Sequence, residues 1–149
     1  MNPRTSSLVA TLLLMASVVA LLLVTHSLIA KLPVGIAIQI AAAVLMLWAR
    51  LTFGMRSFHA AANPTQGGLV TNGPYRYWRH PIYAAVLIFM WAGVLTQGAM
   101  PSLLSILLAV VATITTAIRI NSEETLLKDT FPDYAAYSAR TKRIIPFVY

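Results

Sequence analysis

The segment PIYAAVLIFMWAGVLTQGAMPSLLSILLAVVATITTAIRINSEE, residues 81–124, holds two apolar runs with a short turn between them. No charged side chain occurs from Pro81 to Ile118, and the turn signals gather in TQGAMPS, residues 96–102. Runs without a water-facing side are predicted to be bilayer-crossing helices, because a backbone in hydrocarbon must satisfy its own hydrogen bonds. A link of about five residues forces the two helices to be antiparallel neighbours. The first starts at Pro81, a favourable first helical position, and reaches about Leu95. That is only about 22 Å at 1.5 Å per residue, short for a ~30 Å hydrocarbon core. The second runs from about Pro101 through Ile118 and continues as RINSEETLLKD beyond the membrane surface.

Upstream, a first span is predicted over Leu8–Ala30, too long for a typical signal-peptide core and read as retained. The KLPVG link (31–35) leads to a second span over about Val34–Gly54, with Trp48 as an interfacial aromatic. Downstream, a short helix begins near Pro132, with Tyr134 and Tyr137 on one face. The chain has 149 residues, 58% hydrophobic and 10% charged, with mean hydropathy +0.74. These values exclude an ordinary soluble domain and leave no room for a second one. The expected fold is an all-α polytopic membrane bundle of about four spans with short cytoplasmic C-terminal helices. It forms one domain over 1–149, with residues 1–54 as an N-terminal helix pair. Without cysteine, disulfides and thiolate metal sites are excluded.

The net charge of +7 suggests nucleic acid only until the charges are placed. Ten of eleven Lys and Arg lie at Arg4; at Arg50, Arg56, Arg76 and Arg79; and at Arg119, Lys128, Arg140, Lys142 and Arg143, leaving Lys31 apart. The positive-inside rule produces this pattern and puts both termini and the 55–80 loop in the cytoplasm. No basic soluble face remains for nucleic acid.

Into the start of the third span runs TNGPYRYWRHPIY, residues 71–83. The hairpin brings Arg79, His80 and Tyr83 beside Arg119, Glu123 and Glu124 at the end of the fourth span. Arg119 and Glu123, four apart, share a helix face. Separately, the arginines read as phosphate anchors, the aromatics as an interfacial belt and Arg119–Glu123 as a surface pair. Together, an acidic doublet opposite an Arg-His-Pro turn reads as a ligand site at the cytoplasmic rim. His26, near the far end of the first span, reads as a packing or interfacial residue. His59 has no sequence partner. No His, Asp or Glu pair has metal-ligand spacing, and no serine has a nucleophile motif.

GGLVTNGPYRYWRHPIYAA (67–85) followed by RINSEETLLKDTFPDYAAYSARTKRIIPF (119–147) resembles the isoprenylcysteine carboxyl methyltransferase family of membrane enzymes. Phospholipid N-methyltransferases are similar there too. The likeness covers about residues 66–147 and implies a pocket for S-adenosyl-L-methionine (SAM) on the hairpin. By that resemblance Gly68, Leu69, Val70 and Tyr75 line the adenosine end. His80, Pro81, Ile82 and Tyr83 hold the cofactor where the third span begins, Glu123 meets its ammonium, and Arg119 faces the acceptor. The family often has glycine where this chain has Ala85.

Methyl transfer from a sulfonium needs alignment and exclusion of water more than a strong base. A carboxylate acceptor is already ionised and would be positioned by Arg119. An amine must lose a proton, with Glu124 or His80 to take it. The resemblance favours a lipophilic carboxylate such as an isoprenylcysteine. A phospholipid amine or a hydrophobic thiol is the alternative; a non-catalytic binder and a sterol-reductase-like nicotinamide enzyme are readings from other classes. The small size suits a bacterial inner membrane.

Overall fold

A computed structural model describes residues 3–54 and 68–144, with side chains from residue 5. His59, Arg56 and the Asn63-Pro64 turn lie outside the described residues. Helix α1 is Pro3–Leu23, α2 Pro33–Phe53, α3 Pro81–Leu95, α4 Leu103–Thr130 and α5 Tyr134–Arg140. A 3-10 turn, Gly73–Arg76, precedes α3. Among the described residues, α1 from Thr5, α2 and α4 are long and apolar enough to cross a bilayer, and α3 is a shorter apolar helix. The protein is thus a helical membrane bundle.

The predicted boundaries of α3 hold, and the others have local causes. Pro33 starts α2, and Gly54 ends it with φ 69° and its N–H on the Arg50 carbonyl. The Ser102 hydroxyl accepts from Ser105 N–H, so α4 begins at Leu103 and not at Pro101, a cap that contributes about 1 kcal/mol. At 28 residues α4 is about 42 Å long, so its last turns project past a ~30 Å core.

α4 lies chiefly along α1 and α3 along α2, while α3 and α4 touch over a narrower front. The order across the bundle is therefore α1, α4, α3, α2. Buried positions are mostly small: Ala10 and Ser17 on α1, Ala42 and Ala49 on α2, Ala84, Ala85 and Ala92 on α3, Ala109 and Ala112 on α4. Large side chains such as Leu12, Met15, Ile40, Leu51, Leu103 and Ile114 point outward. Lipid is as apolar as leucine, so close backbone approach, and not burial of large residues, holds such helices together. Leu21, Leu28, Leu87, Met90 and Val94 fill the centre towards the far end.

The first span stops at Leu23, seven residues before the predicted Ala30. His26 takes φ 51° and is exposed, and residues 24–32 form a compact non-helical link. The Thr25 hydroxyl donates to the Leu21 carbonyl at 3.1 Å, and the Ser27 and Ser105 hydroxyls pair at 2.7 Å. The backbone of the link is satisfied by a clip of side chains. Gln39, buried within α2, donates to the Leu28 and Phe89 carbonyls at 2.7 and 3.0 Å and accepts from Ala30 N–H at 3.1 Å. Gln97 donates to the Ile29 and Gly93 carbonyls, and the Thr96 carbonyl accepts from Lys31 and Leu32 N–H. Non-helical backbone at this depth survives only where protein groups replace water in this way.

Candidate active site

The residues preceding α3 are shaped by proline and glycine. Gly73 takes φ 55°, and a Cβ there would meet the Thr52 hydroxyl at 2.5 Å, so the turn sits tightly on the end of α2. Pro81 is fully buried as the first residue of α3, which fixes the direction of His80 and Tyr83.

Two adjacent glutamates organise the rim, in different ways. Glu124 is closed off. Its Oε1 takes Arg79 Nε at 2.9 Å and His80 Nε2 at 3.3 Å, and its Oε2 takes Arg143 Nη2 at 2.8 Å, with the side chain 4% exposed. Glu123 is 21% exposed. Its Oε1 accepts from the Tyr83 hydroxyl and lies 3.2 Å from Arg119 Nε, while its Oε2 is 3.8 Å from His80 Nδ1. The buried imidazole thus stands between the two carboxylates.

Arg119 also donates to the Tyr83 hydroxyl and to the hydroxyl of Thr11 on α1, and its Cζ lies 5.6 Å from the Tyr83 ring centre. Four elements of the chain meet here: α1 through Thr11, α3 through Tyr83, α4 through Arg119 and Glu123, and the tail through Arg143.

The tail is held as tightly as the helices. Trp78 and Lys142 form a parallel bridge, with Arg79 N–H on the Lys142 carbonyl at 2.7 Å and Lys142 N–H on the Tyr77 carbonyl at 3.2 Å. His80 N–H donates to the Arg143 carbonyl at 3.1 Å. Arg79 Nη1 donates to the Ser138 carbonyl at 2.8 Å and also to the Thr141 carbonyl. The Tyr137 hydroxyl donates to the Tyr75 carbonyl at 2.8 Å. Burial pushes the Tyr137 phenol up to about 12, and burial likewise raises that of Tyr75, so both stay protonated. Trp78 Nε1 and Tyr134 OH are buried donors without a hydrogen-bond partner among the described residues.

On the α2 side, an open cleft of about 610 Å³ is lined by Thr52, Phe53, Gly54, Leu69, Val70, Thr71 and Asn72. Gly68 is exposed at its margin with φ 81°. Phe53 packs tilted against Tyr75 with ring centres 5.3 Å apart, and the Glu123 carboxylate is near enough to add to the rise in the Tyr75 pKa. The cleft and the rim are therefore neighbours across Tyr75.

The predicted residues fall into two groups. Leu69, Val70 and Tyr75 belong to the cleft side; His80, Tyr83, Arg119, Glu123 and Glu124 form the rim, and Ile82 is half-buried beside Pro81. Glu124, offered by the sequence as a proton acceptor, has both oxygens engaged by arginine. The sequence missed Thr11, Phe53 and the joint role of Arg79 and Arg143. An arginine near a membrane end carries the same local signal whether it anchors to phosphate or closes a site.

A family model described as phospholipid methyltransferase matches residues 30–134. The cobalt-zinc-cadmium resistance protein CzcN of Cupriavidus metallidurans is 36% identical over 80 residues, 52% of this chain and 35% of that protein. The nickel-cobalt-cadmium resistance protein NccN of Alcaligenes xylosoxydans xylosoxydans is 37% identical over 82 residues, 52% of this chain and 36% of that protein. The chain thus spans about a third of the length of these curated relatives. No solved structure matches it.

Proposed function

The chain belongs to the phospholipid methyltransferase family, and from that premise we propose that it moves a methyl group from SAM to an amine-bearing lipid at the membrane surface. The observation that carries the reading is the unequal state of two adjacent acids: Glu124 is sealed by arginines, whereas Glu123 stays partly open beside His80 and Tyr83. Such an open carboxylate at a watery rim suits an incoming ammonium.

The residues fit this cofactor. Its ammonium has Glu123, with Oε2 lying beyond hydrogen-bond distance of His80. Its carboxylate has backbone N–H groups of the 68–72 segment beside the cleft as candidate donors. Its adenosine end has a cleft of ordinary ligand size, with Phe53, Leu69 and Val70 as apolar walls and Gly68 at the edge. Tyr75 joins the two halves, and His80, Pro81, Ile82 and Tyr83 form the floor. When bound, SAM supplies an electrophilic methyl group on a sulfonium.

The chain's own work is then to align and to keep dry. Tyr83, held from both sides by Glu123 and Arg119 and packed against His80, fixes the wall beside which the cationic centre would lie. The acceptor nitrogen forms its new bond through its lone pair, so it must shed a proton. His80 is placed to take that proton, with Glu124 orienting its Nε2. Arg119, buried against Thr11 on α1, would orient the acceptor's headgroup from that side.

A second reading, an isoprenylcysteine-like carboxylate, draws on Arg119 beside Thr11, where a guanidinium would position a carboxylate. Methyl-labelled SAM incubated with the purified protein and a lipid extract separates these. Label that alkali does not release as volatile methanol and that stays on an amine nitrogen supports the amine. Base-labile label establishes an ester, and alkali-stable label in a thioether establishes a hydrophobic thiol acceptor. No transfer to any lipid, with NADPH bound in place of SAM, overturns the methyltransferase reading in favour of a reductase-like protein.

We also place the protein in a bacterial inner membrane with the rim towards the cytoplasm. In this cysteine-free chain, a cysteine at position 31 is expected to react with an impermeant maleimide from outside, and one at position 128 only after lysis. The reverse pattern inverts the topology.

A further inference from the structure

The family match ends at residue 134, yet the rim is completed by residues beyond it. Arg143 contributes a side chain to Glu124 and a carbonyl to His80 N–H, and the Ser138 and Thr141 carbonyls receive Arg79. We propose that Arg143, acting with Arg79, is a positioning residue: it sequesters Glu124, fixes His80 between the two acids, and so leaves Glu123 as the carboxylate for a cationic ligand.

The physical need is specific. Two neighbouring carboxylates at one rim would compete for a single ammonium and would repel each other. Burying one of them is tolerable only if both its oxygens are paired. Arg79 Nε takes Oε1 and Arg143 takes Oε2, so the charge of Glu124 is spent inside the protein. The same clamp holds Oε1 at 3.3 Å from His80 Nε2, and that contact turns Nδ1 towards Glu123. Without Arg143, the buried Oε2 loses its charged partner, and the backbone bond from His80 to residue 143 loses its side-chain anchor. The contacts of Arg143 with the Glu124 carboxylate and the His80 N–H are the route by which it acts on the ligand site.

This rests on the SAM reading of the site, and the experiment keeps the two separable. The full-length protein in nanodiscs is compared with Arg143→Gln, Glu124→Gln and the double variant, reading S-adenosylhomocysteine affinity, the kcat against KM split and hydrogen exchange over residues 76–82. Each single variant is expected to weaken affinity about tenfold and to speed exchange across that segment. The double variant, in which two neutral amides replace the ion pair, is expected to recover to within about threefold of wild type. Arg143→Lys, which keeps the charge, is expected to retain most of the affinity. A double variant as weak as the product of the singles, or Arg143→Gln with wild-type affinity, overturns the proposal. Unchanged exchange in Arg143→Gln overturns it as well, whether or not any nucleoside binds. Failure of the wild type to bind S-adenosylhomocysteine instead refutes the SAM reading, and the exchange result still decides the positioning role of Arg143.

Discussion

Glu123→Gln is expected to bind S-adenosylhomocysteine about 100-fold more weakly than the wild type while remaining folded and monodisperse. The change keeps the shape and removes the charge, so an ammonium loses its charge-assisted partner, a loss of about 2.8 kcal/mol at 1.4 kcal/mol per decade. Within the protein the same change leaves the Tyr83 hydroxyl an amide oxygen to bond, and Arg119 keeps Thr11 and the Tyr83 hydroxyl. Lys128→Ala, an exposed cation one helical turn beyond Glu124, serves as the reference and is expected to bind like wild type. Calorimetry on the purified proteins checks it. Equal affinity in Glu123→Gln would remove the ammonium site from this residue, and with it the proposed orientation of the cofactor.

Gly93→Ala is expected to be the most disruptive single methyl addition in the bundle. A Cβ at this position would lie 2.0 Å from the Leu28 carbonyl oxygen and 2.8 Å from that of Ser27. Those atoms are backbone, pinned by Gln39 and by the Ser27–Ser105 pair, and have no rotamer through which to yield. Relief requires α3 to move away from the link, at a cost of about 3 kcal/mol. Thermal unfolding in detergent is expected to show a clearly lowered midpoint and a reduced monodisperse yield. Gly98→Ala makes a useful contrast: its strain comes from φ 81°, while the nearest atom to its Cβ is the tip of Leu32 at 3.7 Å. A wild-type midpoint in Gly93→Ala would mean that α3 and the link do not approach as described.

The hairpin was legible because its punctuation is local: Pro81 before one apolar run, TQGAMPS between the runs, and a charged end to the second. From that punctuation alone the meeting of His80 and Tyr83 with Arg119 and Glu123 followed. The end of α1 was hidden, because the polar step Thr25-His26-Ser27 is short and Leu28-Ile29-Ala30 resumes the apolar run. What stops the helix lies elsewhere, in Gln39 and Gln97, whose amides satisfy an unwound backbone. A glutamine inside a greasy run has no local signature of that task. The division between Glu123 and Glu124 was equally invisible. Adjacent residues on a helix point about 100° apart, and which one meets the tail depends on where the tail lies. Arg143 lies in the tail segment that the resemblance covers and Thr11 in a span with no motif, yet only the tertiary structure shows that both reach the site.

The amide clip at the far end also sets how the bundle can move. With α2, α3 and the α1–α2 link fastened there by Gln39 and Gln97, spreading of the helices takes the form of a pivot about that end. A splay of about 5° over ~30 Å of helix carries the opposite end through about 2.6 Å. Such a pivot is opposed at the other end by the Tyr83–Glu123, Arg79–Glu124 and Arg119–Thr11 contacts, so opening there breaks polar ties while the apolar base stays packed.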